Sequence, residues 1–140
     1  MSAVYLECSA LLAWLLGESR ADEVKQALDD AAAVATSELT ILEAHRALLR
    51  AEARSALTEG DAQRLRGLLR RVGESWIRVK LFEDVLARAA RPFPVEPIRT
   101  LDTLHLATAL ELTRSFPDLR ILSFDERILD NARALGLQQE

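Results

Sequence analysis

A short apolar stretch near the start of the chain ends in a single acidic residue and continues directly into a helical pattern. Residues 4–6 suit a buried strand, Glu7 follows them, and Ser9 can cap the apolar helix that comes next. A strand joined at once to a helix is the building unit of parallel α/β sheets. In those sheets, ligands bind at the carboxyl edge of the strands. The stretch therefore predicts an α/β fold with Glu7 at the ligand-binding edge.

The rest of the chain repeats this alternation of strand and helix patterns, which predicts a parallel sheet covered on both faces. Three prolines between Arg91 and Arg99 predict an extended connector, since proline does not continue a helix. Further strands are predicted at Ala33–Thr36, Trp76–Val79 and Leu119–Leu122, with a short edge strand beginning at Leu137. Helices are predicted at Ala21–Ala31, from Ser37 to about Arg54, from Thr58 or Asp61 onward, at Phe82–Ala90, from Thr100 as cap to about Arg114, and at Asp125–Leu135.

Length and composition place the chain among ordinary globular proteins. With 140 residues, 49% of them hydrophobic and 29% charged, we expect one domain spanning residues 1–140. The apolar run Ala10–Leu16 is too short for a bilayer and has no signal-peptide flanks, so we expect a cytoplasmic protein without a membrane partner. The only cysteine, Cys8, excludes an internal disulfide and a cysteine-cluster zinc site.

The net charge of the chain limits the ways in which it can bind nucleic acid. A formal charge of −4 argues against a protein that coats nucleic acid through a bulk positive field. It is compatible with a nuclease, because a bound metal ion supplies positive charge to an acidic cluster.

Four acids lie within a turn or two of the predicted carboxyl edge: Glu7 and Asp125 directly after strands, and Glu43 and Asp102 near the starts of helices. If they meet in one cleft, their mutual repulsion favours a cation, and carboxylate oxygens suit Mg²⁺ or Mn²⁺. Structural alternatives stay open for three of them. Asp102 is favoured by the helix dipole alone, Asp125 suits an N-cap, and Glu43 can belong to a solvated helix face.

Four sequence blocks have an order and spacing that extend over nearly the whole chain. They are residues 5–11 (YLECSAL), 36–48 (TSELTILEAHRAL), 99–109 (RTLDTLHLATA) and 122–127 (LSFDER), the last followed by residues 132–137 (ARALGL). In these blocks the chain resembles the PIN domain family, and specifically the VapC-like ribonuclease toxins, and the third block is the most specific of them.

The resemblance implies a three-layer PIN-like fold, with a five-stranded parallel sheet of order 3-2-1-4-5 and helices on both faces. It implies an endoribonuclease that depends on Mg²⁺ or Mn²⁺ and cleaves RNA phosphodiester bonds by metal-activated water. Glu7, Glu43 and Asp102 would hold the metal, Asp125 would join as a fourth acid, and Ser9 would hydrogen-bond within the site. It also implies a homodimer and a cognate antitoxin, as in a type II toxin–antitoxin pair.

One position departs from the family pattern. Members usually have Asp where this chain has Glu7, whose extra methylene moves the carboxylate about 1.5 Å farther. The alternative is therefore a catalytically impaired PIN domain that acts as an RNA- or protein-binding module. A phospho-acceptor receiver domain is excluded, because the paired acids and late lysine that it needs are missing. Cys8 stands where the family has a small residue, and we expect it to be buried and inert.

Basic residues on two consecutive helices are candidates for holding RNA. Arg46 and Arg50 lie on the helix that carries Glu43, and arginine suits phosphate through its planar fork. A solvated helix face or a groove for an antitoxin helix is an alternative for this surface. His105 is interpreted as a packed, hydrogen-bonded residue and not as a catalytic base, and His45 gives no stronger signal of catalysis.

Overall fold

A computed structural model of the chain describes residues 2–140 and contains one parallel sheet. Its spatial order is β3-β2-β1-β4-β5, so the predicted order 3-2-1-4-5 is confirmed. Each pair of neighbouring strands is parallel. The strands are β1 (Ala3–Leu6), β2 (Ala33–Ser37), β3 (Ile77–Val79), β4 (Arg120–Leu122) and β5 (Gln138–Gln139).

Seven helices in the described part of the chain cover the two faces of the sheet. α1 to α4 contribute to a core on one face, α6 and α7 contribute to a second core on the other, and α5 packs on α6. The helices are α1 (Cys8–Leu15), α2 (Ala21–Asp30), α3 (Glu38–Ala53), α4 (Glu59–Gly73), α5 (Glu83–Ala89), α6 (Thr100–Leu112) and α7 (Glu126–Ala134). Of these, none combines the length and apolarity that a bilayer crossing requires.

Strand β1 explains why both faces need helices. It lies between β2 and β4, and all four of its residues are buried. Because side chains alternate along a strand, Val4 and Leu6 enter the core beside α1–α4, whereas Ala3 and Tyr5 enter the core beside α6 and α7. Tyr5 thereby directs its phenol towards α6.

The helix starts nearest the carboxyl edge differ in part from the prediction. The cap of α1 is Glu7 and not Ser9, because the Glu7 side chain accepts the hydrogen bond from the Ser9 backbone N–H. The cap position of α6 is Arg99 and not Thr100, which is already helical. The predicted caps Ser37 and Asp125 are confirmed.

Candidate active site

A cavity of about 650 Å³ opens at the carboxyl edge of the sheet. Glu7 reaches it from the end of β1, Glu43 from α3, Asp102 from the first turn of α6, and Asp125 from the loop after β4. These elements meet there because parallel strands deliver their carboxyl ends to one edge. The wall also contains the other predicted site residues Ser9, Arg46 and Arg50, together with Arg99 and His105.

Glu7 accepts more hydrogen bonds than any of the other three acids. It is 5% exposed, and its Oε1 accepts hydrogen bonds from the Ser9 hydroxyl and, at 2.6 Å, from the Ser123 hydroxyl. Its Oε2 accepts the Ser9 backbone N–H at 3.1 Å. A carboxylate has about four acceptor sites, so these bonds offset most of the cost of burial and leave about one site on Oε2.

The two serine hydroxyls are held in turn by the loop after β4. The Phe124 N–H donates to Ser9 Oγ at 2.8 Å, and the Asp125 N–H donates to Ser123 Oγ at 3.1 Å. Each hydroxyl therefore accepts from the backbone while it donates to Glu7. This network ties the loop that carries Asp125 to the end of β1.

Asp102 and Asp125 share one guanidinium. Arg99 donates from Nε and Nη2 to the two Asp102 oxygens at 2.8 and 3.0 Å, and Nη2 also donates to Asp125 Oδ2 at 3.1 Å. The hydrogen bond with Asp102 raises the pKa of Arg99 above its usual value. Asp102 is almost fully buried, whereas the Arg99 side chain is 55% exposed. The positive charge of Arg99 at the rim of the cavity thus offsets the negative charge of Asp102 at its base.

Glu43 is bound by a histidine from the opposite layer. His105 Nε2 lies 2.6 Å from Glu43 Oε1, and His105 Nδ1 lies 2.7 Å from the Tyr5 hydroxyl. His105 is 1% exposed, so the interpretation as a packed, hydrogen-bonded histidine is confirmed. Burial raises the pKa of the Tyr5 hydroxyl well above its usual range, so this group stays protonated at neutral pH.

Two titratable groups on the helices around the site have shifted pKa values. His45 lies on α3 next to Arg46, and its pKa is lowered by burial and by the positive charges of Arg70, Arg66 and Arg78. Burial is the larger of these causes. The Cys8 thiol, by contrast, is buried and its pKa is raised by that burial, which fits the expected inert role.

The donors in the cavity match the chemistry of Mg²⁺ or Mn²⁺, because all four acids offer hard carboxylate oxygens. Within residues 2–140, however, no three Asp, Glu, His or Cys side chains are arranged to hold one ion. The reason is visible in the contacts: Asp102 and Asp125 face a guanidinium, and Glu7 faces two hydroxyls. The donor types suit a divalent cation, and Asp102 and Asp125 are paired with Arg99 in this structure.

All seven residues predicted for the site line this one cavity. The prediction assigned no role to Arg99 and Ser123, which bind acids directly, or to Tyr5, which hydrogen-bonds to the histidine that contacts Glu43. For Arg99 a signal was available, since an arginine three residues before an acid at a helix start can fold back onto it. For Tyr5 there was none, because its contact with His105 spans 100 positions of the chain.

The sequence and structure agree with one known family. The model of the PIN domain family matches residues 4–135. Because this match extends over nearly the whole chain, the protein belongs to the PIN domain family.

Individual relatives agree with this membership. Ribonuclease VapC46 of Mycobacterium tuberculosis is 31% identical over 137 residues, which cover 98% of this chain and 95% of the relative. Two solved structures share the fold. The crystal structure of Mycobacterium tuberculosis VapC20, described as a Sarcin-Ricin loop cleaving toxin, aligns with a TM-score of 0.67 at 15% identity and covers 98% of both chains. A toxin–antitoxin complex from Klebsiella pneumoniae aligns with a TM-score of 0.58 at 21% identity, covering 87% of this chain and 86% of the other.

Proposed function

We propose that this protein is a divalent-metal-dependent endoribonuclease and the toxin of a type II toxin–antitoxin pair. The observation that carries the proposal is the meeting of Glu7, Glu43, Asp102 and Asp125 in one cavity of a PIN fold. A ribonuclease name on a relative that matches 98% of the chain supports RNA as the substrate.

Glu7, Glu43, Asp102 and Asp125 are the residues that would hold Mg²⁺ or Mn²⁺. A bound divalent cation supplies positive charge beside the scissile phosphate and makes a water molecule more acidic. The chain itself orients the acids. Two serine hydroxyls hold Glu7 and His105 holds Glu43, so these carboxylates lose little rotamer freedom when they bind a ligand.

The RNA backbone would lie across the basic rim of the cavity. Arg46 and Arg50 both line it from α3 and present guanidinium groups suited to phosphate oxygens. Backbone phosphates would thereby be drawn to the rim while the acids below carry out the chemistry.

We further propose that the antitoxin covers this rim and that the toxin forms a homodimer. α3 carries Leu42, 58% exposed, and Leu49, 43% exposed, next to the arginines, and α6 adds an exposed Leu101. Exposed leucines beside a functional cavity are typical of protein-binding surfaces. An amphipathic antitoxin helix laid on α3 would block access to the acids.

The activity is tested by incubating purified protein with RNA in Mg²⁺ or Mn²⁺, with a chelator added in a parallel reaction. We expect cleavage that the chelator abolishes, and we expect Asp102→Asn to reduce it by at least about 100-fold. Asp118→Asn is the matched control, because Asp118 is an exposed aspartate outside the cavity. Cleavage that persists without metal, or full activity in Asp102→Asn, would show that the proposal is wrong.

One observation favours the alternative of an impaired PIN domain that binds RNA or protein. Glu7 uses about three of its four acceptor sites on protein groups. Glu7→Asp discriminates the two functions, because the shorter side chain draws back from Ser123. A large gain of cleavage in Glu7→Asp would identify the natural protein as an impaired enzyme, whereas wild-type cleavage that Glu7→Asp leaves equal or lowers supports the active nuclease.

A further inference from the structure

A buried line of hydrogen bonds connects the core of the sheet to the cavity. It runs from the Tyr5 hydroxyl to His105 Nδ1 at 2.7 Å, and from His105 Nε2 to Glu43 Oε1 at 2.6 Å. Tyr5 and His105 are 0% and 1% exposed. Water therefore has little access to these contacts, and each polar atom depends on its protein partner.

The chemistry of Tyr5 and Glu43, at the two ends of this line, determines which His105 nitrogen donates and which accepts. A carboxylate only accepts, so the hydrogen between His105 and Glu43 belongs to Nε2. A neutral imidazole has one N–H, so Nδ1 is then an acceptor and takes the hydrogen of the Tyr5 hydroxyl. In this arrangement the Tyr5 hydroxyl, both ring nitrogens of His105 and Glu43 Oε1 each have a hydrogen-bond partner.

The fold determines why this histidine is held so firmly. Tyr5 points to the α6 side of the sheet because β1 alternates its faces, and the tyrosine and histidine rings meet edge to face with centroids 6.1 Å apart. Glu43, however, lies on α3 in the layer on the other face. His105 thus links the two helical layers above the end of β1.

We propose that Tyr5 and His105 are positioning residues that fix the carboxylate of Glu43 for a divalent cation. His105 holds Oε1, while Oε2 accepts no hydrogen bond from residues 2–140 and stays available to the ligand. Tyr5 acts one step farther away, by keeping the histidine in the form whose N–H faces Glu43. The assignment of Glu43 as a metal ligand rests on the proposed function, whereas the hydrogen-bond arrangement does not.

The expected size of the effect follows from other metal sites. Partners that orient a metal ligand through a hydrogen bond typically contribute 10- to 100-fold to metal affinity. Loss of the His105 N–H should therefore weaken metal binding by about that factor, although His105 itself does not touch the metal.

The first test uses the wild-type protein without metal. Nitrogen-15 NMR of the imidazole rings reports which nitrogen carries the proton, and the chain has two histidines, so His45→Gln assigns the signals. We expect His105 to carry hydrogen on Nε2 and none on Nδ1. A proton on Nδ1, whether in the other tautomer or in a doubly protonated ring, would overturn the proposal.

The second test compares two replacements of His105 by Mn²⁺ titration calorimetry. His105→Gln keeps an N–H near the place of Nε2, whereas His105→Asn is too short to reach Glu43. We expect about 10- to 100-fold weaker Mn²⁺ binding in His105→Asn, a much smaller loss in His105→Gln, and an intermediate loss in Tyr5→Phe. Equal affinities in the Gln and Asn variants would refute the positioning role.

Thr108→Val is the matched control for these variants. Thr108 is buried on the same helix and donates only to the Leu104 carbonyl, so Val removes a buried hydroxyl without touching Glu43. We expect Thr108→Val to bind Mn²⁺ as the wild type does. If the wild type itself binds no Mn²⁺, the metal site of the proposed function is wrong, while the NMR result still decides the arrangement of Tyr5 and His105.

Discussion

Replacing Arg99 by glutamine tests whether this guanidinium stands in for a metal ion. Arg99 makes three hydrogen bonds to Asp102 and Asp125, and charge-assisted bonds contribute about 1.5–3 kcal/mol each when shielded from water. Because the Arg99 side chain is 55% exposed, solvent screening lowers the total considerably. We expect Arg99→Gln to reduce the free energy of unfolding by about 1–2 kcal/mol in the presence of chelator.

Metal should remove this difference. If Arg99 and a divalent cation compete for Asp102 and Asp125, loss of Arg99 raises the cation affinity, and a tenfold rise corresponds to about 1.4 kcal/mol of additional stabilisation at saturation. Urea unfolding of wild type and Arg99→Gln, with chelator and with saturating Mn²⁺, measures both quantities. The two curves should separate in chelator and approach one another in Mn²⁺.

Arg114→Gln is the control, because Arg114 also pairs with an acid three residues away, Glu111, but outside the cavity. It should change the free energy of unfolding by less than about 0.5 kcal/mol in both conditions. If Mn²⁺ leaves the difference in free energy of unfolding between wild type and Arg99→Gln unchanged, Arg99 does not occupy the place of the cation.

Two further predictions concern stability. Ser123→Ala removes the hydrogen bond to Glu7 and the acceptor of the Asp125 N–H, so urea unfolding should show a free energy of unfolding lower by about 2–3 kcal/mol. The control Ser75→Ala changes an exposed serine and should lower it by less than about 0.5 kcal/mol, and similar losses in both variants would contradict the role given to Ser123. Because the pKa of His45 is lowered in the folded protein, the unfolded chain takes up more protons as the pH falls below about 6.5, and wild type should lose stability relative to His45→Gln between pH 7 and pH 5. Parallel stability curves over this pH range would show that the folded protein does not lower the pKa of His45.

Much of the fold was predictable because it depends on local patterns. The strand and helix signals follow from side-chain periodicity, and the carboxyl ends of parallel strands meet at one edge whatever the loops between them contain. The positions of Glu7 and Asp125 directly after β1 and β4 were therefore visible in the sequence. The sheet order came from the resemblance of four blocks to the PIN family.

The helix caps at the site show where local reasoning failed. Ser9 was the expected cap of α1 because serine is preferred at that position, yet Glu7 takes it. The longer glutamate side chain can turn back to the Ser9 N–H while its other oxygen binds two hydroxyls. Cap preference considers one helix alone and does not include Ser123, which arrives from a loop 116 positions away.

The sequence by itself determined that Glu7 and Asp125 reach the carboxyl edge, since chain position relative to strand ends is a local property, and the family resemblance added Glu43 and Asp102. Only the tertiary structure decided what each carboxylate contacts. Glu43 meets His105 because α3 and α6 cover opposite faces of the sheet and approach each other above β1. Asp125 meets Arg99 because α6 and α7, whose N-caps are these two residues, pack against each other. Such contacts depend on strand order and on the distance between layers, which no short-range pattern in the chain encodes.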